Sequence, residues 1–220
     1  MALSLYASWK VKSAYKRYSQ VPASSGYTGA EVAQRILDLN GIRDVSIHAT
    51  HGHLTDHYDP SNRRLVLSEE NYYGTSVAAL GIAAHECGHA IQHKQLYAPL
   101  KWRMAAVGIT GIASQIVMWL PIAGLIFGLF PMKMMITIMA ISFGILMLFQ
   151  LVTLPVEFDA TARAKKVLAG TGAVAAGPEF NAMSKVLDAA ALTYVAAFVT
   201  TLGYFLYYLM QMTGMRGNDE

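Results

Sequence analysis

The sequence predicts a mainly α-helical integral membrane protein, and three observations carry that prediction. The first is composition: of 220 residues, 54% are hydrophobic and 14% charged, and the mean hydropathy is positive, at +0.35. The second is the cause of that balance, three runs without any charged residue: Met104 to Met132, Met134 to Val156 and Ala189 to Met215. Each exceeds the roughly 20 apolar residues with which a helix crosses about 30 Å of hydrocarbon. None carries the charged stripe at helical period that a soluble bundle helix would show. The third is where the basic residues lie. Eleven of the seventeen Lys and Arg precede Met104, and Arg163, Lys165, Lys166 and Lys185 lie between the second and third runs; only Lys133 and Arg216 fall on the other side. The positive-inside rule then places the chain up to Arg103, and the stretch from Glu157 to Asp188, together in the cytoplasm. No basic block or aromatic-interleaved patch is present, which argues against a nucleic-acid partner. The lone Cys87 has no partner for an internal disulfide, which suits a reducing compartment.

Taken in order, residues 1–27 read as a membrane-proximal segment. Met1 to Trp9 is apolar but too short to span, lacks the pattern of a signal peptide, and runs into Lys10, Lys12, Lys16 and Arg17. It reads as the stump of a first transmembrane helix, with a longer apolar reading frame expected upstream. Residues 28–103 form the cytoplasmic part. Thr28-Gly29-Ala30-Glu31 is a capping box, in which hydroxyl and carboxylate satisfy first-turn amides reciprocally. The helix it opens should bury Val32, Ala33, Ile36 and Leu37 and stop at Asn40-Gly41. Val45 to Ala49 alternates like a strand, and the turn chemistry of Asp59-Pro60-Ser61-Asn62 makes 53–68 a β-hairpin. A further helix begins near Thr75 or Ser76 and runs to about Gln95. Residues 104–156 are a transmembrane hairpin, tightly turned at Pro131-Met132-Lys133. Residues 157–188 form a helix over 156–168 and a loop on the cytoplasmic face, and 189–220 are a last transmembrane helix and tail.

The helix over 76–95 carries His85-Glu86-Cys87-Gly88-His89, an H-E-x-x-H pattern. Two imidazoles four residues apart share one helical face, so both can reach one tetrahedral zinc, with the glutamate between them able to act on an activated water. A catalytic zinc needs a third protein ligand. His93 is not that ligand, because eight residues of straight helix put it about 12 Å from His85. A chain reversal of the H-E-x-x-H-x-x-G-x-x-H kind is excluded, since its glycine and histidine slots hold Gln92 and Gln95. No Asp or Glu occurs between Glu86 and Glu157. The first available acid thus follows the membrane hairpin, which returns the chain to the face it left. Glu157 and Asp159 point about 200° apart on a helix, so one of them can face the metal, and Glu157, nearer the membrane end, is preferred. The motif thereby defines a zincin-like site of His85, His89 and Glu157 around one Zn2+ per chain.

The segments Thr55-Asp56-His57-Tyr58-Asp59-Pro60 (with Leu54 before them), Ala83 to Gln92 and Leu154 to Ala160 together resemble the bacterial YugP-type neutral zinc metallopeptidases, over about Trp9 to Met210. The resemblance implies an integral membrane zinc protease of the bacterial inner membrane, with His85, His89 and Glu157 as ligands and Glu86 as the base. It also implies a complete membrane helix before the Trp9-Lys10-Val11-Lys12-Ser13 segment. More distantly the layout is similar to HtpX-type and CAAX-processing membrane proteases, which place a membrane hairpin between H-E-x-x-H and a later E-x-x-A-D. In this chain the last acid of that pattern is Thr161, so the partner that orients His85 or His89 is left open.

The chemistry expected is peptide-bond hydrolysis, with zinc acidifying a water and polarising the scissile carbonyl and Glu86 relaying the proton to the leaving amine. The substrate would be a polypeptide, a membrane protein or peptide, in the setting of membrane-protein quality control. Gly88 admits two readings, close approach of a neighbouring segment or plain helix packing. The hairpin offers either an edge strand to an extended substrate or a cover for the core. Tyr72, Tyr73, Tyr97, Tyr194 and His93 are all candidate transition-state donors. His48, His51, His53 and His57 read as solvent-facing histidines in loops and strands rather than a second metal site, and Cys87 reads as a small buried residue. A catalytically inactive zinc-binding scaffold is the rival function, and it would show a fourth strong ligand or a replaced base. A transporter would place ionisable residues within the spans, and the spans have none.

Overall fold

A computed structural model describes residues 2–53, 55–128 and 130–216, so Leu54 and the tail after Arg216 lie outside the described residues. The elements are α1 (Ala2–Tyr18), α2 (Gly29–Leu39), β1 (Ser46–Thr50), β2 (His57–Asp59), β3 (Arg64–Ser68), α3 (Glu69–Tyr72), α4 (Val77–Lys94), α5 (Ala98–Phe127), α6 (Met132–Thr171) and α7 (Pro178–Arg216). Three of them, α5, α6 and α7, are long and apolar enough to cross a membrane. Central α6 packs on α5 and on α7, and α1 runs along α7, where Ser4 and Thr200 share a hydrogen bond of 2.9 Å.

The part built around α4 owes its form to local signals. At α2 the expected capping box is complete, Thr28 Oγ1 accepting from the Glu31 amide and the Glu31 carboxylate accepting from the Thr28 amide. The helix buries Val32, Ala33, Ile36 and Leu37 and ends at Asn40, followed by Gly41 at φ 63°. Ser76 caps α4 by accepting from the Ala79 amide. Almost every residue of α4 is buried, as expected of a helix that is apolar nearly all round. It lies at the centre of this part, packed against α2, α6 and α7.

The expected hairpin of β2 and β3 is present, and β1 joins it parallel to β3 (Ser46↔Arg64 to Thr50↔Ser68), giving the order β1-β3-β2 and leaving β2 at an edge. One feature differs from the sequence reading. The helix expected to begin at Val156 is not separate: α6 continues unbroken from the membrane run through Pro155 and Glu157 to Thr171. Proline lacks one amide donor and crowds the preceding turn, yet packing of α6 against α4, α5 and α7 over its length overrides that local preference.

Candidate metal centre

The ligating atoms of His85, His89 and Glu157 all lie within 4.8 Å of one another, the only such group among the described residues. His85 and His89 occupy successive turns of α4, their rings 4.9 Å apart and nearly perpendicular. Glu157, only 1% exposed, enters from α6. Its Oε2 stands 3.2 Å from His85 Nε2 and 3.5 Å from His89 Nε2. Two donors bound at 2.0–2.2 Å to a tetrahedral ion stand about 3.4 Å apart, so the two distances to Glu157 would suit a shared zinc ion.

The hydrogen bonds behind the ligands decide which nitrogens face the centre. Gln92, fully buried, donates from Nε2 to the Val156 carbonyl (2.8 Å) and to Asp159 (2.8 Å). Since a carbonyl only accepts, the amide nitrogen must point there, and Gln92 Oε1 must accept from His89 Nδ1 at 3.0 Å. The proton of a neutral His89 therefore sits on Nδ1, and Nε2 turns a bare lone pair toward Glu157. Thr161 Oγ1 lies 3.2 Å from His85 Nδ1 and can serve His85 in the same way. With His85 in the same tautomer, lone pairs of two imidazoles and a carboxylate oxygen would converge on one point, an arrangement that could hold a cation. The donor set, two neutral imidazoles and a carboxylate, fits zinc.

These contacts supply what the sequence left open about orientation. The position that is acidic in the more distant relatives is filled by a threonine, which meets His85. Gln92, which fills the glycine slot of the excluded H-E-x-x-H-x-x-G-x-x-H pattern, is the partner of His89. Asp159 points away from the centre, pairs with Arg163 and holds Gln92 from behind.

Close approach of α4 and α6 underlies the geometry. A Cβ on Gly88 would fall 2.6 Å from the Ala160 carbonyl oxygen and 3.1 Å from its Cα. Only a residue without a side chain lets the α6 backbone come this near, which decides between the two readings of Gly88. Cys87, on another face, is buried and its thiol rests 3.6 Å from the Ala33 carbonyl.

The other oxygen of Glu157 is held by α5: Arg103 Nη1 donates to Oε1 at 2.8 Å. This leaves Oε2 alone to face the histidines. A cavity of about 230 Å³ opens over the centre, lined among others by Glu86, His89, Glu157, Arg103, Tyr194 and His57. Glu86 is buried there, and burial, reinforced by the Glu157 and Asp56 carboxylates and opposed by His85, pushes its pKa up to about 7. Of the five candidate donors, only Tyr194 lines this cavity. Tyr97 packs against Arg163, Tyr72 and Tyr73 pack on each other, and His93 Nδ1 shares a 2.8 Å hydrogen bond with Tyr58.

Of the scattered histidines, His51 pairs with Glu69 and His53 with Glu70, and His48 bonds Ser46. His57 is different: its Nδ1 lies 2.8 Å from the Thr55 carbonyl and its side chain borders the cavity. The turn that places it is fixed by Asp56, whose carboxylate accepts from the Ser68 amide and hydroxyl and from Asn71 Nδ2. Asn71 in turn accepts from Tyr15 of α1.

Comparison with known proteins agrees with this geometry. No solved structure matches the chain. A relative from Bacillus subtilis (strain 168), described as "Putative membrane protease YugP", is 44% identical over 220 residues, which cover 100% of this chain and 95% of the relative. The family model described as "Putative neutral zinc metallopeptidase" matches residues 1–213. With two histidines and a glutamate converging beneath three apolar helices, and that match along nearly its whole length, the chain belongs to the putative neutral zinc metallopeptidase family.

Proposed function

We propose that this chain is a membrane-embedded zinc-dependent endopeptidase, with His85, His89 and Glu157 holding one zinc ion, Glu86 serving as general base, and the site on the cytoplasmic face. The observation that carries the reading is the convergence of two imidazole nitrogens and one carboxylate oxygen at tetrahedral spacing, with a buried glutamate beside them.

Zinc held by such a set acts as a Lewis acid on a carbonyl and makes a water acidic enough to ionise near neutral pH. The chain's own residues do the rest. Gln92 and Thr161 fix the histidine tautomers, and Arg103 balances the charge of Glu157 and holds its second oxygen aside. Glu86, in the same cavity, accepts the proton of the attacking water and returns it to the leaving amine. Tyr194 lines the cavity, and its hydroxyl is the group suited to donate to the oxyanion that develops as the carbonyl is attacked. The free edge of β2 beside the cavity suits an extended polypeptide laid alongside it. Turnover of membrane proteins is the role that fits a protease so placed. An inactive zinc-binding scaffold would carry a fourth ligand or lack the base, whereas among the described residues the cluster has three members and Glu86 is in place.

The test is zinc content and proteolysis of the purified, detergent-solubilised protein. Glu86→Gln is expected to keep one zinc per chain and lose at least about a hundredfold in turnover. Glu157→Ala is expected to lose the metal. Full zinc occupancy in Glu157→Ala would sink the ligand assignment, and normal turnover in Glu86→Gln would sink the mechanism.

A further inference from the structure

The cavity over the metal centre is not walled by the α4 part alone. Leu100, Arg103, Met104 and Val107 of α5 line it, and this i, i+3, i+4, i+7 series is one face of the helix. Exposure rises along that face, from 6% at Leu100 to 36% at Met104 and 57% at Val107. The face therefore starts enclosed beside the metal ligands and opens outward as α5 proceeds. Met104 begins the charge-free run, so the open end lies where α5 enters its apolar span. Across the cavity stands Tyr194, within the apolar run of α7. Helices α5 and α7 each pack against α6 and make at most a marginal contact with each other among the described residues, so the two flank the cavity without closing tightly on one another. On the remaining side lie His57, Tyr58 and Pro60 of the β2 edge. A cavity with an apolar stripe of α5 along one wall thus reaches from the flank of two membrane helices to the proposed metal ligands, beside an edge of β2 that pairs with no further strand among the described residues.

We infer that the site receives its substrate sideways, through the opening between α5 and α7, and that the substrate is the stretch of a membrane-anchored polypeptide immediately beyond its own apolar helix. The inference rests on the peptidase reading and adds to it the class of substrate and its route. A polypeptide still anchored in the bilayer has an apolar end that fits between Met104 and Val107. Its first residues outside the hydrocarbon must leave the helical state to be cleaved, and the β2 edge supplies strand hydrogen bonds to a chain so extended. A freely soluble peptide would bury nothing against Val107.

The test uses the full-length protein in phosphatidylcholine–phosphatidylglycerol vesicles with three substrates that share one cleavable segment. In the first the segment directly follows a single apolar helix. In the second it is held to the vesicle by an acyl chain and a soluble linker, which matches surface concentration without a helix. The third is the free peptide. The expected result is that the first is cleaved at least tenfold faster than the second, and that moving the segment about ten residues from its helix removes the preference. Val107→Trp should cut cleavage of the first substrate at least tenfold with zinc still one per chain. Leu125→Trp, at an 88% exposed position farther along α5, should leave it unchanged. Equal rates for helix-anchored and acyl-anchored substrates from an active enzyme would overturn the route alone, as would an unaffected Val107→Trp. Absence of cleavage of all three, or cleavage undiminished in Glu86→Gln, would overturn the peptidase reading and this inference with it.

Discussion

At the scale of single residues, the centre depends on two neutral side chains. Gln92 is buried with every polar atom engaged, and it ties His89 to the Val156 carbonyl and Asp159 of α6. Gln92→Leu would leave the His89 Nδ1 proton without its partner in the interior, while the Val156 carbonyl keeps its place in the α6 ladder. A group left unsatisfied there costs about 1–3 kcal/mol, and loss of a partner behind a metal ligand costs roughly 10–100-fold in metal affinity. We expect zinc titration of Gln92→Leu to show a loss in that range and Thr161→Val a smaller one, because Thr161 holds a single contact at 3.2 Å. Arg103→Gln should act on the same ligand from the opposite side, by freeing Glu157 Oε1, and the effect should appear in both metal affinity and turnover. The cluster of His85, His89 and Glu157 is legible in the sequence, since H-E-x-x-H puts two on one helical face and the acid-free interval leaves few choices for a third. Gln92 and Thr161 were not. Their roles depend on how α4 is rotated against α6, and neither residue type advertises it.

At the scale of elements, the decisive contact is α4 on α6 at Gly88. Gly88→Ala would put a methyl group 2.6 Å from a backbone oxygen that belongs to a long packed helix and has no flexible end to swing away. Overpacking of this kind costs about 1–3 kcal/mol. The strain is adjacent to His89, so we expect Gly88→Ala to lower both the thermal midpoint and zinc affinity, measured on the same preparation. Element-level prediction from sequence succeeded where signals are local: the Thr28 capping box, the Ser76 cap, the β2–β3 turn and the three apolar runs. It failed where partners distant in sequence decide. The parallel pairing of β1 with β3 is invisible to strand patterning. The passage of α6 through Pro155 is set by packing on three helices, while proline alone argues for a boundary.

At the scale of the molecule, the proposed metal would add a bridge between α4 and α6, which are also packed on each other. A ligand bound only by the native state stabilises it by about 4.1 kcal/mol at a thousandfold excess over Kd. Stripping the metal with 1,10-phenanthroline should therefore lower the thermal midpoint of the wild type by several degrees. The same treatment should do little to Glu157→Ala, which lacks the bridge. An equal shift in both proteins would show that the chelator acts elsewhere.

The continuity of α6 has a mechanical consequence. Glu157 is not carried on a loop or a separate cytoplasmic helix; it sits on the same rod whose apolar run begins at Met134. At 1.5 Å rise per residue, that rod sets the height of the carboxylate with respect to the bilayer. The histidines reach that carboxylate from α4, a separate helix held to the rod by the Gly88 contact and by Gln92. When hydrocarbon thickness departs from the length of the apolar run, helices tilt or shift to compensate, and here a shift of a single residue's rise would be a large fraction of a metal–ligand bond. The thickness of the surrounding lipid would then be felt at the three proposed ligands, to the extent that α4 does not follow α6. Zinc affinity measured in vesicles of graded acyl-chain length should pass through an optimum, while that of a detergent-solubilised sample should not depend on chain length in the same way.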